Sequence, residues 1–126
     1  MARTILVSGS RAFPNPDLVR QTIHALIAPG DSLMHGCARG VDTWAGDAAY
    51  TRGATVLRRP ANWDLYGKRA GYLQNEQMLH EARQHPNLLV LIFWDGISRG
   101  TKHMIDLCSA AHVPHRIIRP NQTSMT

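Results

Sequence analysis

Arginine stands beside glycine in three short segments of this chain: Gly9-Ser10-Arg11, Gly36-Cys37-Ala38-Arg39-Gly40 and Asp95-Gly96-Ile97-Ser98-Arg99-Gly100-Thr101. A guanidinium donates as a fork to oxyanions, and glycine lets the backbone come close. Backbone N–H groups at the start of a helix add positive potential. The chemistry these residues suit is anion binding, with phosphate the best match. Ser10 and Thr101 add hydroxyl donors. Arg99 stands at the mouth of an expected helix, where a cation opposes the local dipole unless an anion pairs with it. Arg39 has two readings, a structural partner of Asp42 or Asp47, or a ligand-facing cation.

Two carboxylates accompany the segments. Asp42 falls in a first helical turn, where it either complements the macrodipole or accepts a hydrogen bond from a ribose hydroxyl. Asp95 heads the third segment. If the protein is an enzyme, Asp42 and Asp95 are the candidate acid/base groups; otherwise its catalytic residues are unknown. Between Trp63 and Tyr72 lie aromatics, glycines and the cations Lys68 and Arg69. Trp63 and Tyr66 either cover a sheet edge or form a lid that stacks on a base while Lys68 meets phosphate. Asn75, one turn on, has an amide suited to a base or sugar. No metal is expected, because neither His35-Gly36-Cys37 nor His80 and His85 has metal-ligand spacing. Cys37 has no evident base, and Ser8 and Ser10 do not form a G-x-S-x-G elbow.

The elements that must hold these groups follow from the apolar pattern. Strands are expected at Thr4–Ser8, Ser32–His35, Ala54–Leu57, Leu88–Phe93 and His115–Ile118. Helices are expected after Asn15-Pro16-Asp17, from Val41 to a stop at Gly53, over Tyr72–Gln84, and around Met104, Leu107, Cys108 and Ala111, with Thr101 as the cap of the last. Asn62 to Gly71 reads as irregular. Alternating strands and helices imply an α/β fold: a single Rossmann-like three-layer domain, five parallel strands in the order 3-2-1-4-5, helices on both faces. In that order the three glycine segments follow adjacent strands at the switch point, where open α/β sheets bind ligands.

The 126 residues are enough for one domain, expected over 1–120, with 121–126 a flexible polar tail. The net charge of +5 favours an anionic partner, although much of the excess is scattered and no nucleic-acid arm is present. The longest apolar run, Leu88 to Trp94, is too short to span a bilayer, so no membrane partner is expected. Two cysteines make no disulfide framework, and Met1-Ala2-Arg3 leads straight into a strand. A cytoplasmic location is expected.

Gly9-Ser10-Arg11, His35-Gly36-Cys37-Ala38-Arg39-Gly40-Val41-Asp42, Gly67-Lys68-Arg69-Ala70-Gly71, Asn75-Glu76-Gln77-Met78 and Phe93-Trp94-Asp95-Gly96-Ile97-Ser98-Arg99-Gly100-Thr101 together resemble one family. The chain is similar, from about Thr4 to Ile118, to the YspA-like branch of the SLOG superfamily, small Rossmann-like proteins of bacteria and phages. Relatives include the LOG phosphoribohydrolases, the single-stranded-DNA-binding protein DprA and sensors of nucleotide-derived signals. The resemblance implies a nucleotide-derived ligand and, since relatives often form dimers or larger assemblies, a homo-oligomer. Gln74 stands where the family usually has arginine, and Met104 where LOG enzymes carry glutamate. Asp106 lies roughly 200° around the helix from that position.

Three functions follow as expectations. The first is a binding or sensor domain for a nucleoside phosphate or ADP-ribose-type ligand, with no cofactor. In it Arg11, Arg39, Lys68 and Arg99 hold phosphate, while Asp42 and Asn75 fix ribose or base. The second is an N-glycoside hydrolase or ribosyl transferase using Asp42 or Asp95. The third is a DprA-like single-stranded nucleic-acid binder, with Trp63 and Tyr66 as stacking platforms.

Overall fold

A computed structural model describes residues 2–122. Five strands, β1 (Thr4–Gly9), β2 (Ser32–His35), β3 (Thr55–Arg58), β4 (Leu88–Phe93) and β5 (His115–Ile118), form one parallel sheet in the order β3-β2-β1-β4-β5. The helices are α1 (Pro16–Leu26), α2 (Val41–Thr51), the single turn α3 (Trp63–Tyr66), α4 (Ala70–Ala82) and α5 (Arg99–Ala110), with a 3-10 turn at Gly67–Arg69. The architecture and strand order agree with the sequence-based expectation.

The central strands explain their own position. On β1 and β4 both faces are apolar, and successive side chains alternate between two cores. Ile5, Val7, Leu91 and Phe93 pack with Val19 and Ile23 of α1 and Ala45 and Ala49 of α2. Leu6, Val90 and Ile92 face the other way, onto Met78 and Leu79 of α4 and Met104, Ile105 and Cys108 of α5. The sheet is therefore sandwiched between an α1/α2 layer and an α4/α5 layer. The register pairs Gly9 with Phe93, so the carboxyl ends of β1 and β4 finish side by side.

Three local features differ from the sequence reading. Residues 62–71 are not irregular: Asn62 Oδ1 accepts from Leu65 N at 3.1 Å and caps α3, and α4 begins at Ala70, two residues before Tyr72. No residue of α3 or the following turn is buried, so no apolar periodicity marks them in sequence. α5 starts at Arg99, and its cap is Ser98, whose Oγ accepts from Thr101 N at 3.3 Å. Of the expected tail, Asn121 and Gln122 turn back on Arg119, whose N–H donates to Gln122 Oε1 at 2.7 Å; residues 123–126 lie outside the described residues.

Candidate functional site

A cleft of about 510 Å³ opens at the carboxyl ends of the central strands. Its floor is the tip of β1, its two sides are the β2–α2 and β4–α5 loops, and the first turns of α4 overhang it. The β1 tip is pressed against α2: a Cβ at Gly9 would overlap the Val41 side chain. Gly40, at φ +77°, leads the chain into α2, and a Cβ there would lie 2.7 Å from the Arg11 carbonyl oxygen. Gly9 thus lets the Val41 side chain, and Gly40 the Arg11 backbone, come close beneath the site.

On the β2–α2 side Asp42 organises the loop. Its Oδ2 accepts from the N–H groups of Gly36 and Ala38, each at 3.1 Å. Its Oδ1 is buried without a partner. Burial pushes the Asp42 carboxyl up to about 6, against the opposing pull of the two amide bonds and the Arg11 charge. Gln74 of α4 closes the loop from above, donating through Nε2 to Gly36 O at 2.6 Å and Arg59 O at 2.9 Å. In this chain the residue standing for the family's arginine is thus a backbone clamp.

On the β4–α5 side a chain of short-range bonds sets the turn. Asp95 Oδ1 accepts from Ile97 N and Ser98 N, both at 2.9 Å. Burial raises the Asp95 carboxyl, but the bonds from the Ser98 and Ile97 amides outweigh it, and the group stays below the usual carboxylate range. Ser98 Oγ also accepts from Thr101 Oγ1 at 3.0 Å. With Thr101 N–H satisfied by the cap, the earliest amides of α5 have no intrahelical acceptor and present the positive end of the helix. Asn75 of α4 holds this turn in place, donating to Gly100 O at 3.0 Å and lying 3.1 Å from His103 Nδ1.

The structure brings Gly9, Arg11, Asp42, Lys68, Asn75, Asp95, Gly100 and Thr101 together on the cleft wall. Ser10 is buried behind it: its Oγ accepts from Asp95 N at 3.2 Å and sits 3.3 Å from Thr101 Oγ1. Gly36 and Gly40 shape the backbone without forming the wall. Arg39 and Arg99 are exposed outside it. Asp42 is held by backbone amides and not by Arg39. The sequence reading missed Gln74 and Ser98, and it did not bring Tyr72 to the cleft. Tyr72 stacks edge-on against His103 with centroids 4.7 Å apart, and Arg11 lies 5.8 Å over the Trp63 ring. The wall therefore combines two cations, a helix N-terminus and exposed aromatic rings, with the buried Asp42 carboxyl beside them.

A parallel five-stranded sheet with such a cleft at its switch point defines a Rossmann-like α/β protein. The family model for the YspA, cpYpsA-related SLOG family matches residues 3–66, and the chain belongs to that family. The match includes Gly9, Arg11 and Asp42 and ends before Lys68, Asn75 and the β4–α5 loop. The chain is also 30% identical over 122 residues to the Gene 61 protein of Mycobacterium phage D29, covering 89% of this chain and 93% of that protein. No solved structure matches it. No helix among the described residues is long and apolar enough to cross a membrane.

Proposed function

We propose that the cleft binds a nucleoside phosphate or ADP-ribose-type ligand and that the protein acts as a binding or sensor domain. The observation that carries this reading is the meeting, in one cleft, of the α5 N-terminal turn, Arg11, Lys68 and the exposed rings of Trp63 and Tyr72. The turn and the cations suit phosphate, and the rings suit the flat face of a base. A cleft of about 510 Å³ is within the size of small-molecule sites. Membership of the SLOG family points the same way.

The test is a thermal-shift series with AMP, ADP-ribose and cyclic nucleotides. A ligand present at about 100 times its Kd adds about 2.7 kcal/mol, enough to raise Tm by several degrees. The paired substitution Arg11→Ala/Lys68→Ala is expected to abolish the shift.

One observation favours a second reading, an N-glycoside hydrolase acting on nucleoside monophosphates. Asp42 is a buried carboxyl raised to about 6, in the range where a side chain can give or take a proton near neutral pH. Against it, the α5 position that holds glutamate in LOG enzymes is Met104, sealed in the core. Asp95 is already engaged in its own turn. Release of free base from a nucleoside monophosphate, lost in Asp42→Asn, would establish hydrolysis.

A further inference from the structure

We propose that the protein carries a second binding site, at the β3 edge of the sheet, for a free α-amino acid whose carboxylate meets His35 and Arg58 and whose ammonium meets Asp47. A cavity of about 760 Å³ lies there between α2 and the edge strand β3, and it shares no lining residue with the cleft. One face of α2, formed by Thr43, Gly46, Asp47 and Tyr50, makes its wall. His35 of β2 and Arg58 of β3 are register partners. Each stands two residues beyond a side chain of the α1/α2 core, Leu33 and Val56, so both leave the sheet on that face. The His35 ring fits against α2 because residue 46 has no side chain: a Cβ on Gly46 would lie 2.9 Å from Nε2.

His35 is only 5% exposed. Its Nδ1 accepts from Cys37 N at 2.9 Å, so the neutral ring carries its proton on Nε2. Burial and the Arg58 charge hold the ring below its ordinary pKa, against the pull of Asp47, and keep that neutral form near pH 7. Nε2 donates to no described residue. Only Thr22 Oγ1 and Asp42 Oδ1 are both unpaired and closed to solvent among the described residues, so Nε2 is open, beside Gly46 on the cavity wall. A protonated Nε2 has no lone pair for a metal ion; what fits it is an acceptor brought by a ligand. Arg58, in the neighbouring register position, forms no ion pair among the described residues, and its guanidinium beside an N–H suits a carboxylate. Asp47, next to Gly46, forms none either, and its charge reaches the same ring. A doubly charged phosphate would be repelled by Asp47. An ammonium next to a carboxylate satisfies both ends of the cavity.

The experiment is NMR titration of the isotope-labelled full chain with each of the common α-amino acids and, for any that binds, with its α-hydroxy acid and its carboxamide. At least one amino acid is expected to give saturable shifts at His35 Nε2 and the Gly46 amide. Its hydroxy acid, which lacks the ammonium, and its carboxamide, which lacks the carboxylate, should each bind about fivefold or more weakly. Arg58→Gln should cut the preference over the carboxamide to about twofold or less, and Asp47→Asn the preference over the hydroxy acid. Both side chains are exposed, so neither change threatens the fold. Gly46→Ala, which fills the space against Nε2, should abolish binding; if it fails to fold, the two exposed variants decide. The proposal is overturned if no amino acid shifts these signals, or if shifts are confined to cleft residues such as Tyr72 and Gly100. Equal binding of the amino acid and its hydroxy acid overturns it, as do preferences that survive in the variants.

Discussion

Ser10 and Thr101 stand 91 residues apart in the chain, yet their hydroxyl oxygens lie 3.3 Å from each other beneath the cleft. The contact ties the tip of β1 to the first turn of α5. Ser10 Oγ also takes the Asp95 N–H, so one buried hydroxyl holds the loop that offers the α5 N-terminus to a ligand. Ser10→Ala leaves that amide unpaired and frees the turn. A loss of about 1–2 kcal/mol is expected in urea denaturation, together with weaker ligand binding. Unchanged stability would mean that the loop is held by Asp95 and Ser98 alone.

Gly9→Ala is expected to be more damaging than an ordinary strand substitution. The added methyl overlaps the Val41 side chain, which is fully buried under the sheet. Either β1 or α2 must move, at about 1–3 kcal/mol. A smaller partner makes room, so Gly9→Ala combined with Val41→Ala should lose less than the two single changes add up to. Denaturation of the four proteins in a double-mutant cycle measures the difference.

Asp42 predicts a pH dependence with a definite sign. Its ordinary value is 3.8, and burial raises it to about 6 in the folded protein. Between those values the folded state holds the proton that the unfolded state has released, so stability falls as pH rises through this window. The Asp42 contribution is fully present below about 3.8 and lost above about 6. The difference of roughly two pKa units corresponds to about 3 kcal/mol. Asp31, Glu81 and Asp95 are shifted downward and act in the opposite sense. The measurement is therefore the wild-type curve minus the Asp42→Asn curve, from pH 3.5 to 7. The neighbouring Cys37 thiol, raised above its ordinary value by burial and by the Asp42 charge, stays neutral in that range.

The segment after β5 braces the β4–α5 loop from outside. The Arg119 guanidinium lies 5.2 Å over the Trp94 ring, and a Cβ at Gly96 would meet its Nη2 at 2.7 Å. Asn15 Nδ2 anchors the same segment through Pro120 O at 2.8 Å. Arg119→Ala should lose no more than about 1 kcal/mol, as for an exposed cation–π contact. Its clearer readout is Trp94 fluorescence, which should shift as the ring loses its cover.

Much of this was legible in sequence because the physical cause was local. Apolar runs without alternation, at Ile5–Val7 and Leu88–Phe93, mark central strands covered on both faces, and their order puts the glycine loops together. Side-chain direction was not legible. Arg39 and Arg99 sit in loops of the right composition but lie outside the cleft wall, while Gln74 and Tyr72 reach the cleft only because α4 crosses over it. Ser10 looks like a ligand hydroxyl until its two partners, both near residue 100, are known. The turn at Trp63–Tyr66 buries nothing and so leaves no periodic trace.

The most direct test of nucleotide binding is calorimetric titration of the purified protein with AMP and ADP-ribose, beside the Arg11→Ala/Lys68→Ala variant. Saturable one-site binding that the variant loses, while keeping its fold by circular dichroism, is the predicted result. The account is contradicted if neither compound binds, or if the folded variant binds as tightly as the unaltered protein.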